Sequence, residues 1–302
     1  MKEEKSYSRK EINEIFSQNG LDFNFEELLN LDSDIIWWKK LSYDWKIIML
    51  YNHNYEYRFF TSGRIKDFNS VLDEIKQYNK FELKKFIDEL KEIKDCFFNF
   101  DTSLLITDFK PLENFLRIER LFLNGMRCCN LETMPTLESV KFLDAKNSAL
   151  NSLLNISKFK NLEHLDIHNT HISNLNGIEE LKKLNFLNAS NTDIDSLNGL
   201  ENLKNLKYLS IFRTEIKNLD AIRKLENLRT IYAYSTNIRD LNKLAELKSL
   251  VKININNTSI NDLLPLKENH NLQEVAAKGT NVTLENAEKL NALMPGTIIL
   301  LQ

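Results

Sequence analysis

Residues 162–183 read LEHLDIHNTHISNLNGIEELKK, residues 184–205 read LNFLNASNTDIDSLNGLENLKN, and residues 206–227 read LKYLSIFRTEIKNLDAIRKLEN. Laid over one another, they agree at a fixed set of apolar positions. That interval of 22 residues holds from Ile118 onward, with eight units beginning at Ile118, Val140, Leu162, Leu184, Leu206, Leu228, Leu250 and Leu272. Three residues after each start comes Leu121, Leu143, Leu165, Leu187, Leu209, Ile231, Ile253 or Val275, and two further on Leu123, Ala145, Ile167, Ala189, Ile211, Ala233, Ile255 or Ala277. An apolar pair two apart marks a short strand with one face buried, and an unslipped period of this length marks a stack of structural repeats.

The rest of each unit follows the same register. A third inward position holds Cys128, Leu150, Ile172, Ile194, Ile216, Ile238, Ile260 and Val282. Shortly before it a column of threonines recurs at Thr170, Thr192, Thr214, Thr236, Thr258 and Thr280. A small inward hydroxyl at a turn can satisfy backbone groups of its own and the next coil, so these are expected to be scaffold residues. The second half of the unit spaces its apolar residues by three, as in Leu175, Ile178 and Leu181. That spacing suits a 3₁₀ turn better than an α-helix, which alternates three and four.

These residues resemble the short-repeat, internalin-like class of leucine-rich-repeat proteins, over about two thirds of the chain from Ile118. Threonine stands where the commonest pattern of that family has asparagine. The resemblance implies an α/β repeat: a right-handed solenoid with a parallel sheet on its concave face and a 3₁₀ or irregular convex face. It also implies the bacterial type with a terminal helix, proline and strand. Residues 283–302 fit that cap, with a helix expected over 283–294 that turns Ala287, Leu290 and Leu293 inward, then Pro295 and Gly296 and a strand at 297–301. Upstream, Ile106, Phe109, Leu112 and Phe115 keep the convex spacing of a degenerate first coil, placing the solenoid at 96–302.

Residues 1–95 lack the repeat and read as a helical domain or cap. Ser8 and Glu11 form a capping box before Ile12, Ile15 and Phe16. Trp38, Leu41, Trp45 and Ile48 recur at three and four, as do Phe68, Leu72 and Ile75, and then Leu83, Ile87 and Leu90.

Lys and Arg number 40 against 43 Asp and Glu, and both segments are near neutral, so no global field draws the chain to nucleic acid or an anionic membrane. No stretch approaches the roughly 18 apolar residues of a membrane span, and the opening MKEEKSYSRKEINEIF does not read as a secretory signal. Cys96, Cys128 and Cys129 are an odd number with two adjacent, which disfavours a disulfide framework and suits a reducing cytoplasm. Usage rich in Asn, Lys and Ile suggests an AT-rich, bacterial genome.

Catalytic signatures are missing. The 7 glycines form no phosphate-cradling cluster, so neither a nucleotide nor another cofactor is expected. His164 and His168 flank one strand and would stand ~13 Å apart at ~3.3 Å per residue, too far to share one metal ion. They read as surface histidines. Of Cys128 and Cys129, one is expected buried and one exposed, without catalytic pairing.

Between the buried strand positions lie residues facing the concave surface. Phe186, Tyr208, Phe212, Tyr232 and Tyr234 fall there on three consecutive coils. Phe142, His164 and His168 lie upstream on the same face, and Arg213 and Arg229 border it. Aromatic residues suit exposed strands in any sheet, but an apolar patch with arginines is also the chemistry that dominates protein interfaces. The expected function is therefore capture of a protein partner in the concave groove, without catalysis. The competing expectation is an effector or toxin-like activity in residues 1–95, with the repeats as targeting arm.

Overall fold

The computed structural model describes residues 33–42, 44–46, 48–50, 68–98, 106–127 and 129–301. Its contacts divide the chain into two compact units, Met1–Lys91 and Glu92–Gln302. The capping box at Ser8 and Glu11 lies outside the described residues, as does Cys128.

In the first unit, α1 (Ser33–Lys40), α2 (Phe68–Lys76) and α3 (Lys80–Lys91) fall where the three-and-four spacing expects helices. Trp38, Leu41, Trp45, Ile48, Leu72, Ile75, Leu83, Ile87 and Leu90 are all buried. An unforeseen capping box opens α3: the Asn79 carboxamide oxygen accepts from the Glu82 amide at 3.0 Å, and the Glu82 carboxylate accepts from the Asn79 amide at 2.9 Å. Asp34 ties α1 to α3 through ion pairs with Lys84, at 2.6 Å, and Lys91.

The second unit is a solenoid with one ten-stranded sheet, its strands parallel and in chain order. These are β1 (Asp95–Phe97), β2 (Arg120–Phe122), β3 (Phe142–Asp144), β4 (His164–Asp166), β5 (Phe186–Asn188), β6 (Tyr208–Ser210), β7 (Thr230–Tyr232), β8 (Lys252–Asn254), β9 (Glu274–Ala276) and β10 (Ile298–Leu300). From β2 to β9 each residue pairs with the one 22 positions on, as Leu165 with Leu187 and Leu187 with Leu209. A constant unit length returns the chain to the same side after every coil, so the strands can only be parallel. β1 breaks the interval: Asp95 pairs with Arg120, which hides it from a search at fixed period. The boundary expected after residue 95 therefore falls inside a strand.

The inward positions form a continuous apolar column, with Leu165, Ile167, Leu187, Ala189, Leu209, Ile211 and Ile231 all at 0 % exposure. The convex side turns in short 3₁₀ segments, among them Ile178–Glu180, Asp220–Ile222 and Asn242–Glu246, as the spacing by three requires. Each threonine of the column donates to the carbonyl three residues back: Thr170 to Ile167, Thr192 to Ala189 and Thr236 to Ala233 at 2.7 Å, and Thr214 to Ile211 at 2.6 Å. Ser148, bonded in the same way to Ala145, is a further rung. The hydroxyls serve their own coil alone. The next coil is joined by backbone amides instead, as Asp193 to the carbonyl of Ile172.

Two asparagine ladders add polar ties between coils. Asn161, Asn205, Asn227 and Asn271 each donate a side-chain N–H to a carbonyl of the preceding coil at 2.8 Å. Asn147, Asn169 and Asn191 take the left-handed backbone that every strand exit from β2 to β9 adopts, and their carboxamides bond in series. Asparagine tolerates that conformation because its short polar side chain finds local partners.

At the far end, α4 (Leu284–Leu293) is capped by Thr283, whose hydroxyl accepts from the Asn286 amide at 3.2 Å. Ala287 and Leu290 are buried as expected, but Leu293 is 60 % exposed and Met294 is buried in its place. Six residues on from Ala287 the helix has turned to its far side, whereas seven residues complete nearly two turns.

Candidate functional site

Register places chemically alike side chains one above another on the concave face. The first outward position of β3, β4, β5 and β6 carries Phe142, His164, Phe186 and Tyr208, all half-buried. Their rings stack: Phe142 on His164 at 4.2 Å and 17°, His164 on Phe186 at 3.9 Å and 7°, and Phe186 on Tyr208 at 4.3 Å and 6°. Parallel strands stand about 4.8 Å apart, close to the stacking distance of two rings, so an in-register column of aromatics stacks with little adjustment.

The row is longer than three coils. Phe122 meets Phe142 at 5.3 Å, and Phe97 stacks on Phe122 at 4.3 Å. At the other end Tyr208 leans on Tyr232 at 5.6 Å, and the Lys252 ammonium lies 5.8 Å from the Tyr232 ring. Phe97 escaped the sequence reading because it sits on the strand outside the period. A second, shorter row runs beside the first: Phe212 stacks on Tyr234 at 4.3 Å, and His168 reaches Phe212 at 5.6 Å. His168 and Phe212 are two coils apart and close over Ser190, which is fully buried between them. The His168 Nδ1 lies 3.0 Å from the Ser190 carbonyl, which can only accept, so Nδ1 carries the proton.

His164 is therefore not the surface histidine that its place on an exposed strand position suggested. Burial in the ring stack lowers its pKa to about 4; Asp144 pulls it back up and Lys146 pushes it further down. It is a neutral rung at pH 7. Arg213 and Arg229 are both exposed at the margin. Arg213 adopts the left-handed backbone, at φ 53°, that asparagine holds one coil earlier.

Between the rows the floor is polar. Asp144, Asp166, Asn188 and Ser210 occupy the second outward position of β3 to β6, and the Ser210 and Ser190 hydroxyls bond to each other at 2.7 Å. The Lys146 ammonium pairs with Asp144 at 2.8 Å. The aromatic faces are spent on one another along the solenoid axis, and Asp144 and Ser210 are buried, so ring edges and the half-buried Asp166 and Asn188 are what this stretch of the groove presents.

Among the described residues no thiol joins the groove. Cys96 and Cys129 are buried and unbridged, and burial raises both thiols, Cys129 to about 11 against a weaker opposing hydrogen bond from Ser148. Among the described residues no group of three or more His, Cys, Asp or Glu could hold a metal ion. No helix there is long and apolar enough to cross a membrane.

An open parallel sheet built from unslipped coils defines a solenoid repeat protein with a concave, aromatic-lined groove. No family model and no curated protein matches the chain. Solved structures do. An internalin from Listeria monocytogenes is 20 % identical with a TM-score of 0.65, over 71 % of this chain and 62 % of that one. Internalin C2 from the same species is 24 % identical with a TM-score of 0.59, over 63 % and 83 %. A leucine-rich-repeat protein of Leptospira interrogans is 19 % identical with a TM-score of 0.58, over 70 % and 61 %. The chain has the leucine-rich-repeat fold in its short-repeat, internalin-like form, and it spans 62 % of the length of the first of these structures.

Proposed function

We propose that the solenoid is a protein-binding module whose partner docks in the concave groove against Phe186, Tyr208, Phe212, Tyr232 and Tyr234, and that it carries out no chemistry of its own. The observation that supports this most is the pair of aromatic rows. Inward positions already provide a closed core, so these half-buried, groove-facing rings are not needed to close it, and contiguous apolar surface outside the core marks interaction sites. Tyrosine and arginine at the centre and margin are the residue types that carry most binding energy in protein interfaces.

The geometry speaks against a nucleic acid, since sequence-tolerant binding of single strands needs free aromatic faces and a basic groove. Here the stacked rings cover each other's faces, and the floor carries two carboxylates against one lysine. Cys96 and Cys129, held as buried thiols, are compatible with a reducing compartment, and we propose the cytoplasm as the place of action.

The test is affinity capture from the source organism with the wild-type chain and a variant in which Tyr208, Phe212, Tyr232 and Tyr234 are all alanine. Capture should be lost in the variant while its far-ultraviolet circular dichroism is unchanged. Undiminished capture by a folded variant refutes the proposal.

A further inference from the structure

We propose that the segment seated in this groove is basic, presenting an arginine or lysine side chain to Asp166; this rests on the groove-binding reading above. Carboxylates on the concave strands mostly have a cation beside them. Asp95 on β1 takes both arms of the Arg120 guanidinium, Asp144 on β3 pairs with Lys146 at 2.8 Å, and Glu274 on β9 pairs with Lys252 at 2.9 Å. Among the described residues no lysine or arginine pairs with Asp166 on β4, and the nearby Lys146 is engaged with Asp144.

Asp166 does have a structural task, but the task does not require charge. Its Oδ1 accepts the His168 amide at 2.9 Å, turning the chain out of the strand. At the same position of other coils, Asn188 accepts the Ser190 amide at 3.3 Å and Asn254 accepts the Asn256 amide at 3.0 Å. A neutral carboxamide performs the turn, so the charge at Asp166 is surplus to it. The charge is also held at a cost: burial raises the Asp166 pKa, with Asp144 adding to the rise, while the His168 amide, Lys146 and Asn188 oppose it. An incoming cation would remove that cost.

The surroundings fit the same occupant. Asp166 lies on the polar floor, with the Phe142 to Tyr208 row on one side and the His168, Phe212 and Tyr234 row on the other. A guanidinium or ammonium on a long aliphatic stem suits such a place, its stem against ring edges and its charge on the carboxylate.

The experiment is selection of a displayed dodecapeptide library on the full chain, followed by affinity measurement of selected peptides on wild type, Asp166→Asn and the quadruple alanine variant. Selected peptides should share a basic residue at one aligned position. Asp166→Asn, which keeps the turn bond, should weaken them about 10- to 100-fold, as expected for loss of a charge-assisted hydrogen bond. Replacing the shared basic residue by norleucine should match that loss. Peptides that lose binding to the quadruple variant but share no basic residue, or bind Asp166→Asn equally well, overturn this inference and leave groove binding standing. Peptides indifferent to the quadruple variant bring down both. Full displacement by equimolar spermidine would assign Asp166 to small polycations and overturn the protein occupant.

Discussion

Thr192→Val tests the reason for the threonine column. Valine keeps the branched shape and removes only the hydroxyl, which is buried and donates to the Ala189 carbonyl at 2.7 Å. Among the described residues that carbonyl has no other donor, so the substitution strands a buried acceptor. Desolvating an unpaired polar group costs about 1–3 kcal/mol, and the hydrophobic gain of a methyl for a hydroxyl offsets part of it, leaving an expected loss of about 1–2 kcal/mol. Thr192→Ser, which keeps the hydroxyl, should recover most of the hydrogen-bond loss. The assay is urea unfolding of the full chain followed by circular dichroism. All 3 tryptophans, Trp37, Trp38 and Trp45, lie in the helical unit, so circular dichroism rather than tryptophan fluorescence is the probe of the solenoid. A valine variant within about 0.5 kcal/mol of wild type, the range of neutral substitutions, would refute the reasoning. Equal losses for valine and serine would refute it too.

Arg213→Asn should stabilise the solenoid by about 0.5–1 kcal/mol, because asparagine tolerates the left-handed backbone and extends the ladder from Asn191; unchanged or lower stability in urea contradicts this. The His164 ring should titrate by NMR near pH 4, far below an ordinary histidine, and a midpoint near 6.5 would contradict the buried stack. The sign follows. The unfolded chain binds the proton at higher pH than the native one, so His164 lowers stability as pH falls from about 6.5 to about 4, and His164→Phe should flatten that part of the stability profile. Asp34 is held below the usual carboxylate range: burial raises it, but hydrogen bonds and charge from Lys84 and Lys91 prevail. Its contribution is present above the unfolded value and lost as pH falls through the folded one, so Asp34→Asn should reduce the acid lability of the tryptophan signal below pH ~4.

The solenoid was legible because one period repeats without a slip, and each inward residue serves the same role in every coil. Where the interval changes, legibility fails: β1 pairs 25 residues from β2, between Asp95 and Arg120, and Phe97 was missed with it. The floor and walls of the groove could be listed residue by residue from strand alternation. Their coupling could not, because closure of His168 and Phe212 over Ser190 depends on a small residue on the coil between the two rings. The Asn79 and Glu82 cap was readable in sequence and overlooked, whereas the burial of His164 depends on neighbours one coil away on each side.

The central claim is that a protein partner contacts the middle coils of the concave face. It is tested most directly by labelling the chain with 3-fluorotyrosine, assigning Tyr208, Tyr232 and Tyr234 by single phenylalanine replacements, and recording fluorine spectra with and without the captured partner. The account predicts shifts or broadening at these three resonances, with Tyr78 of the helical unit unmoved. A saturating partner that leaves all three unchanged would contradict it.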